Sequence, residues 1–509
     1  MSQAGLQQQT QLIAALLDPA LYPHQAKTVR VIETHISWVL LAGRYAYKIK
    51  KALDLGFLDT TTLESRQHFC NEELRLNRRL APQLYLGVAS IGGSHAHPVW
   101  GAHPAIEYAV KMRRFAPAKT FDQLIMRDKI EARHIDALAS TLAQFHSGLP
   151  AVAADSANIR IALAQNFSQL TDLLPAADNL AALQQASEHA YRHCQQRLAE
   201  RGAQGYLREC HGDLHLGNIV LSAKHPVPFD GIDFNPALRS IDVMDEIAFP
   251  FMDLLYHRRG DLAYRFLNAY LEQTGDYTGV ELLDFYCAYR ATVRAKVNAI
   301  RARQKDPQAI NVCRAYLDLA GTFLLPRRTR LLITHGLPGS GKSTFSQHAL
   351  EHLGAIRLRS DVERKRLFGL SALDKSLTQQ NIYSTEATQL TYARLLALAR
   401  SLLNAGYTVI VDAAFLKYGE REMFRKLAAE VNASFTIASL QADDATLRAR
   451  ILSRGSDASE ADLAVLEKLQ AAQEKLTAQE MPYTLTISAA LDPLWDALDK
   501  LLDSAPPSR

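Results

Sequence analysis

The hydrophobic rhythm changes along the chain. Near the start, VRVIETHISWVLLAGRYAYKIKKAL reads as strands joined by tight turns, the second at AGR. In YAYKIK the period is two: Tyr45, Tyr47 and Ile49 share one face, and Ala46, Lys48 and Lys50 the other. TLESRQHFCNEELRLNRRLAPQLY then takes helical spacing and offers Phe69, Leu74, Leu76 and Leu80 for burial. Long helical stretches follow, from about Glu131 to Arg201 and from Val243 to Leu325. At LLPRRTRLLITHG, Pro326 and a basic cluster close that region and an apolar strand opens a new one. A glycine loop, a helix and the strands in GYTVIVDAAF and SFTIASL come next, an alternation that predicts a parallel α/β sheet. The pattern thus divides the chain into an α+β domain over 1–325 and an α/β domain over 326–509.

Composition narrows the class. A chain of 509 residues is too long for one compact core. Hydrophobic residues at 48% and charged residues at 22% describe an ordinary globular protein. A formal charge of +4 is too mild to argue for nucleic acid as a partner. Five dispersed cysteines without a CxxC pair point to reduced thiols and a cytoplasmic setting. The start MSQAGLQQQTQLIAALL reads as a polar entry to a helix, and no apolar run approaches the ~18 residues of a membrane span. The tail DSAPPSR is expected to fray.

GLPGSGKST, from Gly336 to Thr344, carries GxxxxGK[ST] between an expected strand and an expected helix. In that setting the backbone of Gly336, Pro338, Gly339, Ser340, Gly341 and Thr344 closes around phosphate oxygens, and the helix N-terminus adds its positive end. Lys342 reaches the β- and γ-phosphates, and Ser343 ligates Mg2+. Neither an NKxD base-recognition motif nor LSGGQ is present, which turns the reading away from GTPases and transport ATPases. Instead IRLRSDVERKRLFG places Asp361 where a hydroxyl loses its proton, with Arg364 one turn on. A helix N-cap is the other role open to Asp361. Asp412 ends the strand in VIVDAAF, where it can hold a metal's water shell. ATLRARILSRGSDASEADLAVL looks like a lid, with Arg450 and Arg454 available to neutralise transition-state charge or simply to face solvent. This set resembles the small P-loop kinases grouped with polynucleotide kinase, zeta toxins and chloramphenicol phosphotransferase. The resemblance implies that Asp361 is the general base and that Arg364 touches substrate or phosphate.

HGDLHLGN, from His211 to Asn218, admits two chemistries. As a zinc site it offers His211 and His215, but Gly212 and Gly217 oppose a helix and no third ligand follows at a usual spacing. As a kinase loop it offers Asp213 as base and Asn218 five residues later. IVLSAKHPVPFDGIDFN then supplies a strand, a turn with Pro226 and Pro228, and Asp233. A carboxylate and an amide oxygen suit Mg2+. Upstream, Lys48 with Lys50 as rival, and Glu73 with Glu72 as rival, are the candidate nucleotide-site pair. AIEYAVKMRRF (Ala105–Phe115) is the expected hinge, with Glu107 and Ala109 among the backbone groups offered to adenine. Asp242, Asp245, Glu246 and Asp253 read as capping and packing acids, or as a surface for a cationic substrate. Arg290, Arg294 and Arg301 form a helical stripe, either solvated or between domains, or an anion patch.

These residues resemble aminoglycoside phosphotransferases and their relatives, choline and homoserine kinases. The resemblance implies a two-lobed protein-kinase-like fold, Asp213 as catalytic base, and Asn218 and Asp233 as Mg2+ ligands. One departure stands out: ETHIS occupies the hairpin where a glycine-rich loop is expected. The whole chain resembles the bacterial fusions called bifunctional aminoglycoside phosphotransferase/ATP-binding proteins. Both resemblances together imply an ATP- and Mg2+-dependent phosphotransferase with two nucleotide sites and a hydroxyl-bearing acceptor. Two alternatives stay open: one domain, more readily the N-terminal one, is a regulatory pseudokinase, or the C-terminal domain phosphorylates RNA 5′-hydroxyls.

Overall fold

The computed structural model describes residues 3–503 apart from 55–57, 154–157, 175–178, 305, 372–373, 375–381, 383, 454–461 and 489–494. Cα packing divides the chain into two compact units, residues 1–162 with 198–253 and residues 163–197 with 254–509.

The first unit opens with helix α1 (Gln3–Ala15) and strands β1 (Val29–Glu33), β2 (Ser37–Ala42) and β3 (Tyr45–Lys50). Helix α2 (Leu63–Asn77) precedes β4 (Tyr85–Gly93), β5 (Pro98–Trp100) and β6 (Ala105–Arg113). The six strands form one antiparallel sheet in the order β1-β2-β3-β6-β4-β5. Gly43 turns β2 into β3 at φ +56°, and a Cβ there would lie 2.5 Å from Gln25 O, so only glycine fits. The alternation of β3 sorts its residues by face. Tyr47 and Ile49 join Leu12, Leu16, Trp38 and Leu40 in a core covered by α1. Each leucine buried this way contributes about 2 kcal/mol.

Helix α2 starts at the cap Thr62, whose side chain accepts from Ser65 N at 3.1 Å. Its buried stripe is polar: Arg66, Cys70, Glu73 and Asn77 point inward beside Leu76. Of the apolar residues expected to carry that face, Phe69, Leu74 and Leu80 are only half-buried.

Helices α3 (Phe121–Ile125), α4 (Ala132–Gly148), α5 (Asn158–Leu173) and α6 (Leu180–Ala203) follow. The two-residue-loop hairpin β8 (Ile219–Ser222) and β9 (His225–Pro228) lies between β7 (Leu207–Glu209) and β10 (Ser240–Asp242), which pair antiparallel. Its turn is Ala223–Lys224, both with positive φ. Pro226 and Pro228, expected in the turn, stand in β9 opposite Leu221 and Ile219. Alternate positions of a hairpin strand need no inward N–H, so proline is tolerated there.

Helices α7 (Val243–Tyr256), α8 (Gly260–Thr274), α9 (Val280–Gln304) and α10 (Ala309–Phe323) complete the helical stretch. The second sheet begins with β11 (Arg330–His335), just past the seam expected at 325/326, and α8 to α10 pack within the same unit as that sheet. After it come α11 (Lys342–Leu353), β12 (Ala355–Arg359), α12 (Ser360–Leu367), α13 (Thr385–Asn404), β13 (Thr408–Asp412), α14 (Tyr418–Glu430) and β14 (Ser434–Leu440). Helices α15 (Asp444–Leu452) and α16 (Leu463–Ala471), strand β15 (Thr484–Ile487) and α17 (Trp495–Leu502) close the chain. The five strands are all parallel, in the order β12-β13-β11-β14-β15. β13 and β14 are buried along their whole length, as a parallel sheet covered on both faces requires. Among the described residues no helix is long and apolar enough to cross a membrane.

Candidate functional site

Strand β3 presents Lys48 and Lys50 on one face, and α2 brings the buried Glu73 to both. Lys48 Nζ lies 2.9 Å from Glu73 Oε1, and Lys50 Nζ 2.5 Å from Oε2. The two lysines thus share one acid, while Glu72 faces Arg75 at 2.9 Å and Arg239 at 3.5 Å. Lys48 also meets Asp230 at 2.6 Å, and Lys50 bonds Asp233. Three carboxylates therefore surround two ammonium groups. Burial opposes the charge on Lys48, but Asp230 and Glu73 outweigh it and hold the ammonium well above its usual range. Burial also opposes the charge on Glu73, yet Lys48 and Lys50 keep its carboxyl low. Asp233 carries the surplus: burial lifts its carboxyl despite Lys50.

The HGDLHLGN loop runs from β7 to β8 and is pinned from α7. His211 N and Gly212 N each donate to Glu246, at 2.8 Å, and Leu216 N donates to Asp253 Oδ2 at 2.9 Å. Asp242 caps α7 by accepting from Met244 N at 2.8 Å. These acids are capping and bracing groups, not a surface for a cationic substrate. Gly212 sits at φ +85°, where a Cβ would meet Leu238 O at 2.7 Å. Asn218 Nδ2 donates to Asp213 O at 2.9 Å and to its Oδ2 at 3.1 Å. The Asp213 side chain is 37% exposed, open to an incoming group, while Asn218 and Asp233 are buried. Phe229 N donates to Asn218 O, and Ile232 N to His211 O, which lays the Asp233 segment beside the loop. Asn77 Oδ1 accepts from Gly231 N at 2.9 Å and Tyr85 OH from Asp230 N at 3.1 Å, fixing the same segment from α2 and β4. The hard oxygens of Asn218 and Asp233, with a surplus carboxylate charge, fit a Mg2+ ion.

The histidines hold the loop. His211 Nε2 lies 2.9 Å from Phe229 O and its Nδ1 accepts from Asp213 N at 3.3 Å. His215 Nδ1 accepts from Gly217 N at 3.0 Å, and its Nε2 is 3.7 Å from Asp213 Oδ2. Among the described residues, the grouping with metal-type donors is His146, Cys210 and Glu246 rather than His211 with His215. Both Glu246 oxygens already accept amides, and burial pushes the Cys210 thiol well up, so this grouping reads as a brace.

The hinge expectation is corrected. Glu107 and Ala109 lie inside β6, paired with β4 at Ile91 and Ala89, and Ala109 also faces Ile49 of β3. The Glu107 carboxylate is held by Arg66 at 2.9 Å and by Gln9 at 2.6 Å. The backbone of Ala109, paired with both neighbouring strands, is closed to adenine, and that of Glu107 lies in the ladder with β4.

At the second site β11 ends at His335 and Gly336–Gly341 forms the loop before α11. Gly336, Gly339 and Gly341 have φ of +148°, +84° and +96°. A Cβ on Gly336 would lie 2.5 Å from Leu440 O, and one on Gly339 2.9 Å from Leu447 O. Lys342 Nζ folds back onto Leu337 O at 2.9 Å. Ser343 opens the first turn of α11 beside it, followed by Thr344. Asp412 ends β13 next to Arg359 in register, and its Oδ2 accepts from Ser346 Oγ at 3.0 Å. Asp361 lies in the first turn of α12, 3.3 Å from Arg364. The cap position belongs to Arg359 and makes no side-chain bond, so the capping role open to Asp361 falls away. Arg450 NH1 donates to Gly339 O at 3.1 Å, which ties α15 to the loop. Arg454 lies outside the described residues.

Two family models divide the chain much as these sites do. Residues 70–283 match the phosphotransferase enzyme family, and residues 331–476 match an AAA domain. The uncharacterized protein Rv2004c of Mycobacterium tuberculosis (strain ATCC 25618 / H37Rv) is 31% identical over 458 residues, covering 87% of this chain and 90% of that protein. The chain belongs to this two-domain phosphotransferase family. Among solved structures, it is similar to a gluconokinase from Sinorhizobium meliloti 1021 (19% identity, 35% of this chain and 91% of that one, TM-score 0.25). It is also similar to the GDP complex of an aminoglycoside 2′-phosphotransferase-IIIa mutant (16% identity, 61% and 97%, TM-score 0.36). The family makes the chain a kinase-type phosphotransferase with a kinase-like N-terminal fold and a P-loop C-terminal fold. Within that framework the structure adds residues the sequence reading passed over: Asp230, Asn77 and Gln9. The spacing of Arg66, Cys70, Glu73 and Asn77, one polar helical stripe, was the available signal for Asn77.

Proposed function

We propose that the protein is an ATP- and Mg2+-dependent phosphotransferase with two nucleotide sites, one in residues 1–325 and one in 326–509. Each transfers a γ-phosphate to a hydroxyl of a small-molecule acceptor in the cytoplasm. The observation that carries the first site is the convergence of Lys48, Lys50 and Glu73 with Asp213, Asn218 and Asp233 in one compact unit. Asn218 and Asp233 would hold Mg2+, which when bound would supply positive charge to neutralise the phosphates. Lys48 and Lys50 orient the nucleotide phosphates. Asp213, braced by Asn218, accepts the hydroxyl proton as the new O–P bond forms and the bond to ADP breaks. At the second site Lys342 and the loop amides hold phosphate, Ser343 and Asp412 serve the metal, Asp361 is the base, and Arg364 and Arg450 neutralise charge. Arg454 is assigned to the same lid on sequence alone.

A small acceptor is favoured over RNA because, of Arg290, Arg294 and Arg301, only Arg301 is exposed, and it is paired with Asp306 at 3.1 Å. Arg290 is buried 5.3 Å from the Tyr289 ring centroid, and Arg294 stands 5.6 Å from that of Tyr316. Two observations favour the regulatory reading of the first site: Lys50 is bonded to Asp233, the proposed metal ligand, and the β1–β2 hairpin lacks glycine.

The test uses the full chain as wild type, Asp213→Ala, Asp361→Ala and the double variant, with γ-labelled ATP and a panel of metabolite and RNA acceptors. Each single change is expected to lower transfer to a different acceptor by about 10²–10⁴-fold with nucleotide binding retained. Undiminished transfer in Asp213→Ala for every acceptor would remove the first site from the chemistry and leave it as the regulatory module.

A further inference from the structure

Helix α8 precedes the seam, yet it lies along the free edge of the second sheet. Strand β12 is that edge, and two of its outward backbone groups are satisfied by a side chain. Asn268 Nδ2 donates to Ala355 O at 2.8 Å, and Asn268 Oδ1 accepts from Arg357 N at 2.6 Å. The asparagine amide, 2% exposed, thus replaces the missing neighbour strand. One turn on, Glu272 Oε1 accepts from Arg357 Nε at 3.0 Å and NH2 at 2.6 Å, and Oε2 lies 3.6 Å from Arg359 NH1. The rest of the Arg357 guanidinium points to the phosphate-loop helix: NH1 donates to Ser346 Oγ at 3.2 Å and lies 3.4 Å from Ser343 O. Ser346 Oγ in turn donates to Asp412, and Arg359 Nε stands 3.9 Å from the same Asp412 oxygen. The contact is close-fitting further along as well. Arg366 NH2 donates to Glu272 O at 2.6 Å, and a Cβ on Gly275, at φ +74°, would lie 2.7 Å from Arg366 Nε.

We infer that Glu272 is a positioning residue of the P-loop site: through Arg357 and Arg359 it sets Ser343, Ser346 and Asp412, the side of the loop that serves the metal. Helix α8 is then a working part of the C-terminal kinase although it lies within the matched phosphotransferase stretch. The inference rests on the reading of Ser343 and Asp412 as the metal side of a nucleotide site. A planar guanidinium whose Nε and NH2 both donate to one carboxylate oxygen, while its NH1 donates to Ser346 Oγ, has little freedom to swing. Without Glu272, Arg357 keeps its charge but loses the anchor that aims it at Ser346. Outer partners of this kind typically change metal affinity by about 10–100-fold.

The experiment titrates the full chain with a labelled ATP analogue, in EDTA and in Mg2+. The component lost in Lys342→Ala defines the P-loop site. In Glu272→Gln the gain in affinity on adding Mg2+ should fall about tenfold at that component, while affinity in EDTA stays within about twofold. Glu272→Asp should recover part of the gain, and Arg357→Lys, which keeps charge without the fork, should reproduce the loss. Mn2+ binding to the nucleotide complex, read by paramagnetic resonance, should weaken in parallel. An unchanged Mg2+ gain in Glu272→Gln and Arg357→Lys would overturn the inference. So would equal losses with and without Mg2+, which mark a merely structural contact. Should Glu272→Gln not fold, Arg357→Lys alone decides. If the wild type shows no Lys342-dependent component, it is the nucleotide-site reading that fails.

Discussion

Between β11 and α11 a single run of residues, Gly336–Thr344, shapes the phosphate loop, and its shape comes from backbone: three left-handed glycines and a helix N-terminus. The site in the first unit has no such run. Lys48 and Lys50 come from β3, Glu73 from α2, Asp213 and Asn218 from a loop, and Asp233 from beyond a hairpin. These meet because side chains elsewhere hold them: Glu246 and Asp253 under the loop, Asn77 and Tyr85 beside the Asp233 segment. A backbone site depends on the residues within it, whereas a side-chain site depends on its scaffold. Changes remote from the chemistry should therefore damage the first site and leave phosphate binding at the second largely alone, the hold of Glu272 on its metal side being the exception.

Glu246→Ala is the most damaging way to test that contrast. It removes a buried carboxylate that accepts two loop amides and leaves His211 N and Gly212 N without that acceptor. The expected loss is about 3–6 kcal/mol in the first unit, from two charge-assisted bonds of roughly 1.5–3 kcal/mol each. Denaturant unfolding of the full chain reads it, together with loss of Asp213-dependent transfer. A shift under about 1 kcal/mol would mean that the loop holds itself and that the contrast is false.

Acid should separate the two units in order. The Glu246 carboxyl is buried, which works against its charge, but His146 and the loop amides bring it down to about 2. A carboxyl held below its ordinary range stabilises the fold above about pH 4.5, and that contribution fades as pH falls toward 2. His335, at the end of β11, is brought down to about 4, by burial first and then by Arg421. The unfolded chain takes up that proton near pH 6.5 and the folded one does not. The second unit should thus lose up to about 3 kcal/mol between pH 6.5 and 4. It should weaken first on acidification, and His335→Gln should flatten its profile without altering the first unit. Unfolding followed by calorimetry at stepped pH measures both. A flat wild-type profile for the second unit from pH 6.5 to 4 contradicts this account of His335.

The legibility of the sequence divides along the same line. The phosphate loop and the strands ending at His335 and Asp412 were legible because local spacing determines them. Strand β3 was legible too, since its alternation separates an apolar core face from a lysine face. Helix α2 misled because its buried stripe is polar, and a search for apolar periodicity passes over Arg66, Glu73 and Asn77. Glu107 and Ala109 misled because a central strand and a hinge look alike without knowledge of which strands flank them. The pairing of two lysines with one glutamate, and the hold of α8 on β12, are tertiary facts that no window of sequence contains.

The smallest effect tests the backbone side of the contrast. Ser340 sits in the middle of the phosphate loop, and its Oγ is buried without a hydrogen-bond partner. Its N–H remains part of the loop whatever the side chain, and its φ is not among the positive ones. If backbone alone shapes this loop, Ser340→Ala should leave nucleotide affinity within about twofold. Stability should hold or rise by up to about 1 kcal/mol, because an unpaired buried hydroxyl carries a desolvation cost that alanine does not. Titration with the labelled nucleotide and thermal unfolding of the second unit measure the two quantities. A tenfold loss of affinity would show that the hydroxyl itself meets the ligand. The phosphate loop would then depend on side chains as the first site does, and the contrast between them would narrow to the distance over which each is assembled.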